Sequence, residues 1–505
     1  MQTMLNSLIN MFDLSILGWI TAGTALGLVF GAIPGLTGSL AVVMLIPFTY
    51  SMETITGMAT LIGAYVGGIS GGLVSAILLN MPGTPASVAT SFDGFPMAQQ
   101  GRAGKALGVG VVSSFLGTLL GWFCLTAMAP LLAKVALAFG HFEYVTAIFF
   151  GFTAVITLSG RSVFKGIIAA LFGLAIMTVG FDPYTGVERA TFGLTVFTNG
   201  VQFLPALIGF LVLSEIFIQI EDINQRFIIP KQKITGVYMS FKEMKDSTWN
   251  IIRSSVIGVA IGILPGIGGS FANLVCYDQA KKASKDPDSF GKGNYQGIVA
   301  SETGNNATIG GALIPMIAVG IPGDGVTAAL MGGLMIKGLS PGPMFTIQHP
   351  DIMYGIFNTL LISSFIMLIL MLGIGVRVFP KILRLPKHIV LPLILIMALA
   401  GSYNTSISVK DVWMSVLMGF VGYLFNKFDF PKIPVIITMV LGRNFEQQLR
   451  MGLKNYDGTF LPMFTRPYCV VFIFIILISI VAAITRPARI RRNEAKFKLK
   501  RQAEK

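Results

Sequence analysis

Charge is scarce in this chain of 505 residues: Lys, Arg, Asp and Glu together make up 12%, about half of the ~25% usual in soluble domains. With 53% hydrophobic residues and a mean hydropathy of +0.75, that shortage excludes an ordinary soluble globular protein. Cysteine is equally sparse. Cys124, Cys276 and Cys469 stand far apart, in or beside apolar runs, which excludes a disulfide framework or a thiolate metal cluster. The three histidines, His141, His349 and His388, form no HExxH pair. No GxxxxGK[ST] loop is present to cradle nucleotide phosphates. The first 101 residues contain no Lys or Arg, so no basic leader region precedes the first apolar run, and that run is expected to be retained.

The net charge of +14 does not indicate nucleic-acid binding. Basic residues cluster in short loops and in the tail, where nine of the 37 fall within Arg486–Lys505. That is the pattern of cytoplasmic loops in a polytopic membrane protein. Apolar stretches recur at 16–48, 57–98, 106–129, 142–158, 163–180, 201–219, 250–276, 294–336, 352–376, 388–402, 411–425, 433–446 and 466–485. They predict an all-α fold with about 10–12 membrane segments. The expected organisation is a first membrane repeat at 1–220 and a hydrophilic cytoplasmic linker at 221–249. A second repeat with extra helices follows at 250–485, then a basic cytoplasmic tail at 486–505. Segment 444–454 is amphipathic and reads as a surface-lying stretch.

Two motifs occur twice. GAIPGLTGS at 31–39 matches GILPGIGGS at 262–270, and NMPGTPASVA at 80–89 matches GIPGDGVTAA at 320–329. Charge changes sides between the copies. Thr49–Thr56 is free of basic residues, whereas the stretch after the matching motif carries Lys281, Lys282, Lys285 and Lys292. The second motif is followed by Arg102 and Lys105 in one copy, and only by Lys337 before His349 in the other. Five crossings between the copies would also flip the second, so both signals predict inverted-topology repeats with broken or re-entrant helices. Segment 16–48 has no basic residue on either flank and segment 250–276 has basic clusters on both, so each reads as a re-entrant hairpin or as a broken span.

Pro34-Gly35, Pro82-Gly83, Pro265-Gly266 and Pro322-Gly323 interrupt these segments at repeat-related positions. A helix restarting inside the bilayer aims free N–H groups and a positive dipole end into any cavity it lines, which suits a carboxylate. The candidate substrate-binding residues are therefore Pro34, Gly35, Thr37, Ser39, Asn80, Pro82, Gly83, Thr84, Ser87, Gly266, Gly268, Ser270, Asn305, Asn306, Pro322, Gly323 and Thr327. A single Pro-Gly in a membrane helix is more often a kink. Glu302 and Asp324 are the candidate ion-coupling residues, since ionisable groups at membrane depth are costly and usually functional. Asp324 also suits the N-cap of a following half-helix. Asp93 and Glu215 read as lying nearer the interfaces.

These motifs resemble the large membrane subunit of the tripartite tricarboxylate transporters. The resemblance rests on GAIPGLTG (31–38), NMPGTPASVATSFDGFPMAQQGRAGKALG (80–108), GILPGIGG (262–269) and SETGNNATIGGALIPMIAVGIPGDG (301–325), and it spans about 20–485. Pro265 falls on the family's motif positions, as do the paired prolines and glycines named above with Thr37, Asn305 and Asn306. The resemblance implies a permease of the bacterial inner membrane with a cytoplasmic C-terminus. Its partners would be a small four-helix membrane subunit and a periplasmic solute-binding protein. It would import tri- or dicarboxylates by symport with Na⁺ or H⁺, with no ATP hydrolysis, no resident cofactor and no enzymatic activity. A passive channel is one alternative. An intramembrane enzyme is another, for which Asp93 and Asp324 would have to form a dyad.

Overall fold

A computed structural model of the chain describes residues 2–158, 162–195, 197–223, 234, 236–266, 268–383, 385–481, 483 and 485. The whole of the expected tail, 486–505, and part of the expected linker lie outside the described residues. The protein is helical. In chain order the helices are α1 Gln2–Asn10, α2 Leu14–Ala32, α3 Gly38–Thr49, α4 Thr54–Leu79, α5 Val88–Gln99, α6 Ala103–Ala136, α7 His141–Leu158 and α8 Val163–Thr178. Next come α9 Phe203–Leu207 and α10 Ser214–Glu221, joined by a π-helical stretch, and α11 Phe241–Ile263, α12 Gly268–Ala283, α13 Tyr295–Val319 and α14 Gly325–Ile336. The chain continues with α15 Pro343–Gln348, α16 Pro350–Leu370, α17 Val376–Ile382, α18 Lys387–Ser406, α19 Val409–Lys427, α20 Lys432–Asn455, α21 Leu461–Thr465 and α22 Pro467–Val481. Among the described residues, six helical stretches are long and apolar enough to cross a membrane. A two-stranded β-ribbon, Gly180–Phe181 with Glu188–Arg189, lies in the loop after α8.

Element order repeats: a helix, a Pro-Gly break, a 12- or 16-residue helix, a long helix, a second break and a 12-residue helix occur twice, as α2–α5 and α11–α14. In the first copy α2 and α4 pack on a seam of small residues. Gly23, Gly27 and Gly31 meet the backbone of Thr60, Ala64 and Gly68 so closely that any Cβ would collide. Such seams are how helices associate where lipid offers no hydrophobic drive. Residue numbers rise together along this seam, so α2 and α4 run the same way and α3 is the return strand of a hairpin. In the second copy Asn250 bonds to Gln296, Gly258 meets Gly304 and Gly262 meets Thr308, so α11 and α13 are likewise parallel. With 12 residues, α3 is about 18 Å long, too short to cross ~30 Å of hydrocarbon.

The copies interlock by exchange. The helix after the first copy, α6, packs along α13, and the helix after the second, α16, packs along α4. Helix α5 meets α12, and α14 meets α3. Between the central helices, Leu73 and Ile298 flank Gly110, Ser70 bonds to Asn306, and Tyr65 bonds to Asp324. Numbers fall along α4 as they rise along α13, so these two repeat-related helices run in opposite directions. Helices α7, α8 and α20 form one flanking group, and α9, α10, α18 and α19 another. Large apolar side chains such as Phe123, Phe164, Leu171, Ile369 and Phe474 stay exposed on the outer helices, as a lipid-facing surface requires.

Two boundaries differ from those read in the sequence. Helix α11 begins at Phe241, inside the expected linker, because Ser240 and Glu243 form a capping box that starts the helix early. The amphipathic stretch 444–454 is not a separate surface helix: it is the outer half of α20, which continues unbroken from Lys432 to Asn455. Gly442 stands where the apolar part of α20 stops, and the helix continues through it.

Candidate functional site

Each copy brings its own two breaks together. Gly83 sits against the carbonyl of Gly31 and against Gly72, and its N–H donates to the Gly72 carbonyl at 3.4 Å. At the matching place in the second copy, Gly323 sits against the Gly262 carbonyl and Ala312, and the Gly266 N–H donates to the Gly323 carbonyl at 2.8 Å. Gly35 and Gly266 have φ of +89° and +82°, a left-handed turn that a Cβ would strain. Pro34, Pro265 and Pro322 are buried and Pro82 half-buried. Thr37 then starts α3 by accepting from the Leu40 N–H.

Helix α13 carries the polar centre. Ser301, Glu302, Thr303, Asn305, Asn306 and Thr308 are all buried. The Glu302 carboxylate accepts from the hydroxyls of Thr90 on α5 and of Ser114 on α6, the latter at 2.9 Å. Asn306 lies one turn on. Its Oδ1 accepts from Ser70 on α4 at 2.7 Å and from Thr118 on α6 at 3.4 Å, and its Nδ2 donates to the Glu302 carbonyl at 3.0 Å. Four helices from both copies therefore converge on two adjacent side chains. Among the described residues no Lys, Arg or His pairs with Glu302. An unpaired buried carboxylate is costly enough that it must take up a proton or a cation to remain there.

Asn305 is fully buried, yet neither its Nδ2 nor its Oδ1 has a hydrogen-bond partner in the protein. Its Oδ1 stands where a Cβ on Gly269 would fall, at the first turn of α12, with Ala86 and Thr308 beside it. Asn273 on α12 accepts from the Ala89 N–H and donates to the Pro85 carbonyl, tying the α12 start to the Pro82-Gly83 break of the other copy. The arrangement places an uncommitted amide, an N-terminal helix turn and the buried hydroxyl of Thr308 around one spot, while Thr84 and Ser87 lie against Gly72 of α4. Amide donors on a helix N-terminus suit a carboxylate oxygen, and the carboxamide oxygen suits a cation.

Asp324 caps α14: its carboxylate accepts from the Thr327 N–H at 2.8 Å, and Thr327 answers through its hydroxyl. It also accepts from the Tyr65 hydroxyl at 2.5 Å and lies beside Gly268. The cap role is thus observed, joined by a contact between copies. Asp93 is fully buried at the other end of α5. It accepts from Tyr277 at 2.8 Å and from the N–H groups of Gly291, Gly293 and Asn294 at 2.8–2.9 Å. It shares no partner with Asp324, so the two do not form a dyad.

Not every candidate joins this centre. Asn80, in a left-handed conformation (φ 55°), ends α4 and is exposed, as is Ser270 on α12. Ser39 is half-buried on α3, whose start packs on Gly68. Gly35 is covered by Gln219 of α10, and Gly266 by Val155 of α7. The sequence motifs did not include Tyr65, Ser70, Ser114, Thr118 or Gln219. The four-residue spacing of Ser114 and Thr118 within an apolar helix was the available signal for those two.

A family model described as the Tripartite tricarboxylate transporter TctA family matches residues 17–437. An uncharacterized 52.8 kDa protein in the TAR-I ttuC' 3' region of Agrobacterium vitis is 32% identical over 476 residues, covering 94% of each chain. An uncharacterized protein in the TAR-II ttuC' 3' region of the same organism is 28% identical over 237 residues, 47% of this chain and 98% of the relative. No solved structure matches the chain.

Proposed function

The chain belongs to the tripartite tricarboxylate transporter TctA family, a family of transporter subunits and not of enzymes, and we propose that it is the permease subunit that moves small di- or tricarboxylates into the cell by coupling to an ion gradient. It is a multi-pass membrane protein. The observation that carries the proposal is the pairing, within one turn of α13, of a cation-free buried carboxylate at Glu302 with the unpartnered carboxamide of Asn305. Glu302 holds the coupling Na⁺ or H⁺. Asn305 and the amides at the α12 start hold an oxygen of the acid. The bound cation compensates the anion, so no arginine is needed at the breaks.

The opposed directions of α4 and α13 and the exchange of α6 and α16 support two inverted repeats meeting at the midplane. Basic clusters at Lys105, Lys165, Lys427 and Lys432 support a cytoplasmic placement for those helix ends, in an inner membrane with the C-terminus inside. Partners of the expected kinds, a small membrane subunit and a periplasmic binding protein, complete the assembly. The test is uptake of labelled citrate, succinate and tartrate into proteoliposomes holding the full assembly. Accumulation only under a Na⁺ or proton gradient is the expected result, and its loss in Gly35→Leu and Gly266→Leu, with insertion intact, locates the site. Flux that neither saturates nor depends on a gradient would instead indicate a pore.

A further inference from the structure

The flanking group α7–α8–α20 carries a second polar assembly. Gly173 meets Val435 and Thr438, and Gly442 meets Leu174 and Met177, so α8 and α20 run parallel. Lys165 and Lys432 mark one end of this pair, and the loop after α8 marks the other. At that other end Arg450 grips Asp182 through both nitrogens at 3.1 and 2.8 Å, Arg189 bonds Glu446 at 2.6 Å, and Arg466 pairs with Glu143. The backbone N–H of Tyr184 and the Arg450 guanidinium hold the Asp182 carboxyl down at about 2. Each arginine here is matched by an acid except one. Arg443 has no ion pair or hydrogen bond among the described residues. It is exposed and lines a cavity of about 400 Å³ with Gln447, Tyr184, Phe181 and the ion-paired Arg189 and Glu446. The Nε of Arg189 is buried there without a partner.

The cavity stands close to a break. Leu441, two residues before Arg443, and Ile321, at the Pro322-Gly323 break, both lie within 4.0 Å of where a Cβ would sit on Gly151 of α7. We infer that this cavity is an anion vestibule, in which Arg443 and Gln447 receive a small di- or tricarboxylate before it reaches the breaks. The inference rests on the carboxylate transport proposed above. A guanidinium fork matches a carboxylate in two parallel hydrogen bonds, and Gln447 offers a further amide donor. An unmatched arginine at the end opposite the lysine-bearing termini runs against the usual charge bias, and a visiting anion accounts for it.

Two measurements separate this inference from the transport reading. In proteoliposomes that accumulate citrate, Arg443→Gln is expected to raise the half-saturating concentration about tenfold with the maximal rate within about twofold, and Arg443→Lys to recover part of the loss. In purified protein, citrate is expected to protect a Gln447→Cys variant from a charged maleimide, read by the mass of the peptide carrying position 447, and Arg443→Gln is expected to remove that protection. Normal half-saturation in Arg443→Gln together with no protection overturns the vestibule while leaving transport standing. Loss of uptake only when the delivering protein is present, again without protection, also overturns it and makes this face a protein-docking surface. Protection in a protein that accumulates no organic acid retains the anion site and removes the transport reading.

Discussion

The central helices of the two copies, α4 and α13, occupy equivalent places and do unequal work. At the motif offset, Ile62 matches Glu302, Tyr65 matches Asn305, Val66 matches Asn306 and Gly68 matches Thr308. Both helices pack through small residues on a parallel partner, and both end in a break that folds back on that partner. Only α13 carries the carboxylate and the paired amides. Helix α4 supplies Ser70 and Tyr65, which reach across to the other copy's groups. The packing is thus alike in both copies, while the buried carboxylate and the paired amides are confined to one.

The sharpest way to break this contrast is at its most unequal pair. Glu302→Gln is expected to lower gradient-driven uptake by about 100-fold or more, whereas Ile62→Val is expected to stay within about twofold. Equal initial rates for both variants, at matched reconstituted protein, would end the claim that the second copy holds the coupling group. The next pair is smaller. Asn305→Ala removes a buried group with no protein partner, so its cost should fall on uptake, by about 30-fold, and little on thermal stability. Tyr65→Phe removes one hydrogen bond to Asp324 and is expected to cost about fivefold. A melting temperature that drops more in Asn305→Ala than in Tyr65→Phe would mark Asn305 as a packing residue.

Where the copies are alike, their variants should agree. Gly31→Ala and Gly262→Ala each press a methyl group into the backbone of the parallel partner helix, at Gly68 and Thr308, and should destabilise the detergent-solubilised protein by similar amounts, roughly 1–3 kcal/mol each. Markedly different melting shifts would show that the two seams are not equivalent. The smallest effect belongs outside the repeats. Asp182 is held below its ordinary value of 3.8, at about 2, so the tie it makes is fully present above pH 3.8 and is lost as pH falls toward 2. Proteolysis of the 182–195 loop should be flat from pH 7 to about 4 and rise only below that, while Asp182→Asn should raise it already at neutral pH.

Much of this molecule is legible in the sequence, because a Pro-Gly inside an apolar run has few physical readings. The four breaks, the Asp324 cap and the doubling-back through α3 and α12 followed from local chemistry and flanking charge. What lies between elements is less legible. Thr90, Ser114 and Ser70 meet α13 across 212, 188 and 236 residues of sequence, and their local surroundings do not say which element each one meets. Gln219 over Gly35 has the same origin. The length of α20 escaped because hydropathy falls where its outer half becomes paired charge, although the helix itself continues.

The Asp93 carboxylate also bears on how the two copies can move. It belongs to the first copy, yet the three amides and the phenol it satisfies belong to the second. Hinging the copies apart at that corner would strand a buried anion and three donors together, whereas translating both as one body past α7 and α10 would disturb none of them. The interlocked core is accordingly stapled against flexing within itself at that corner.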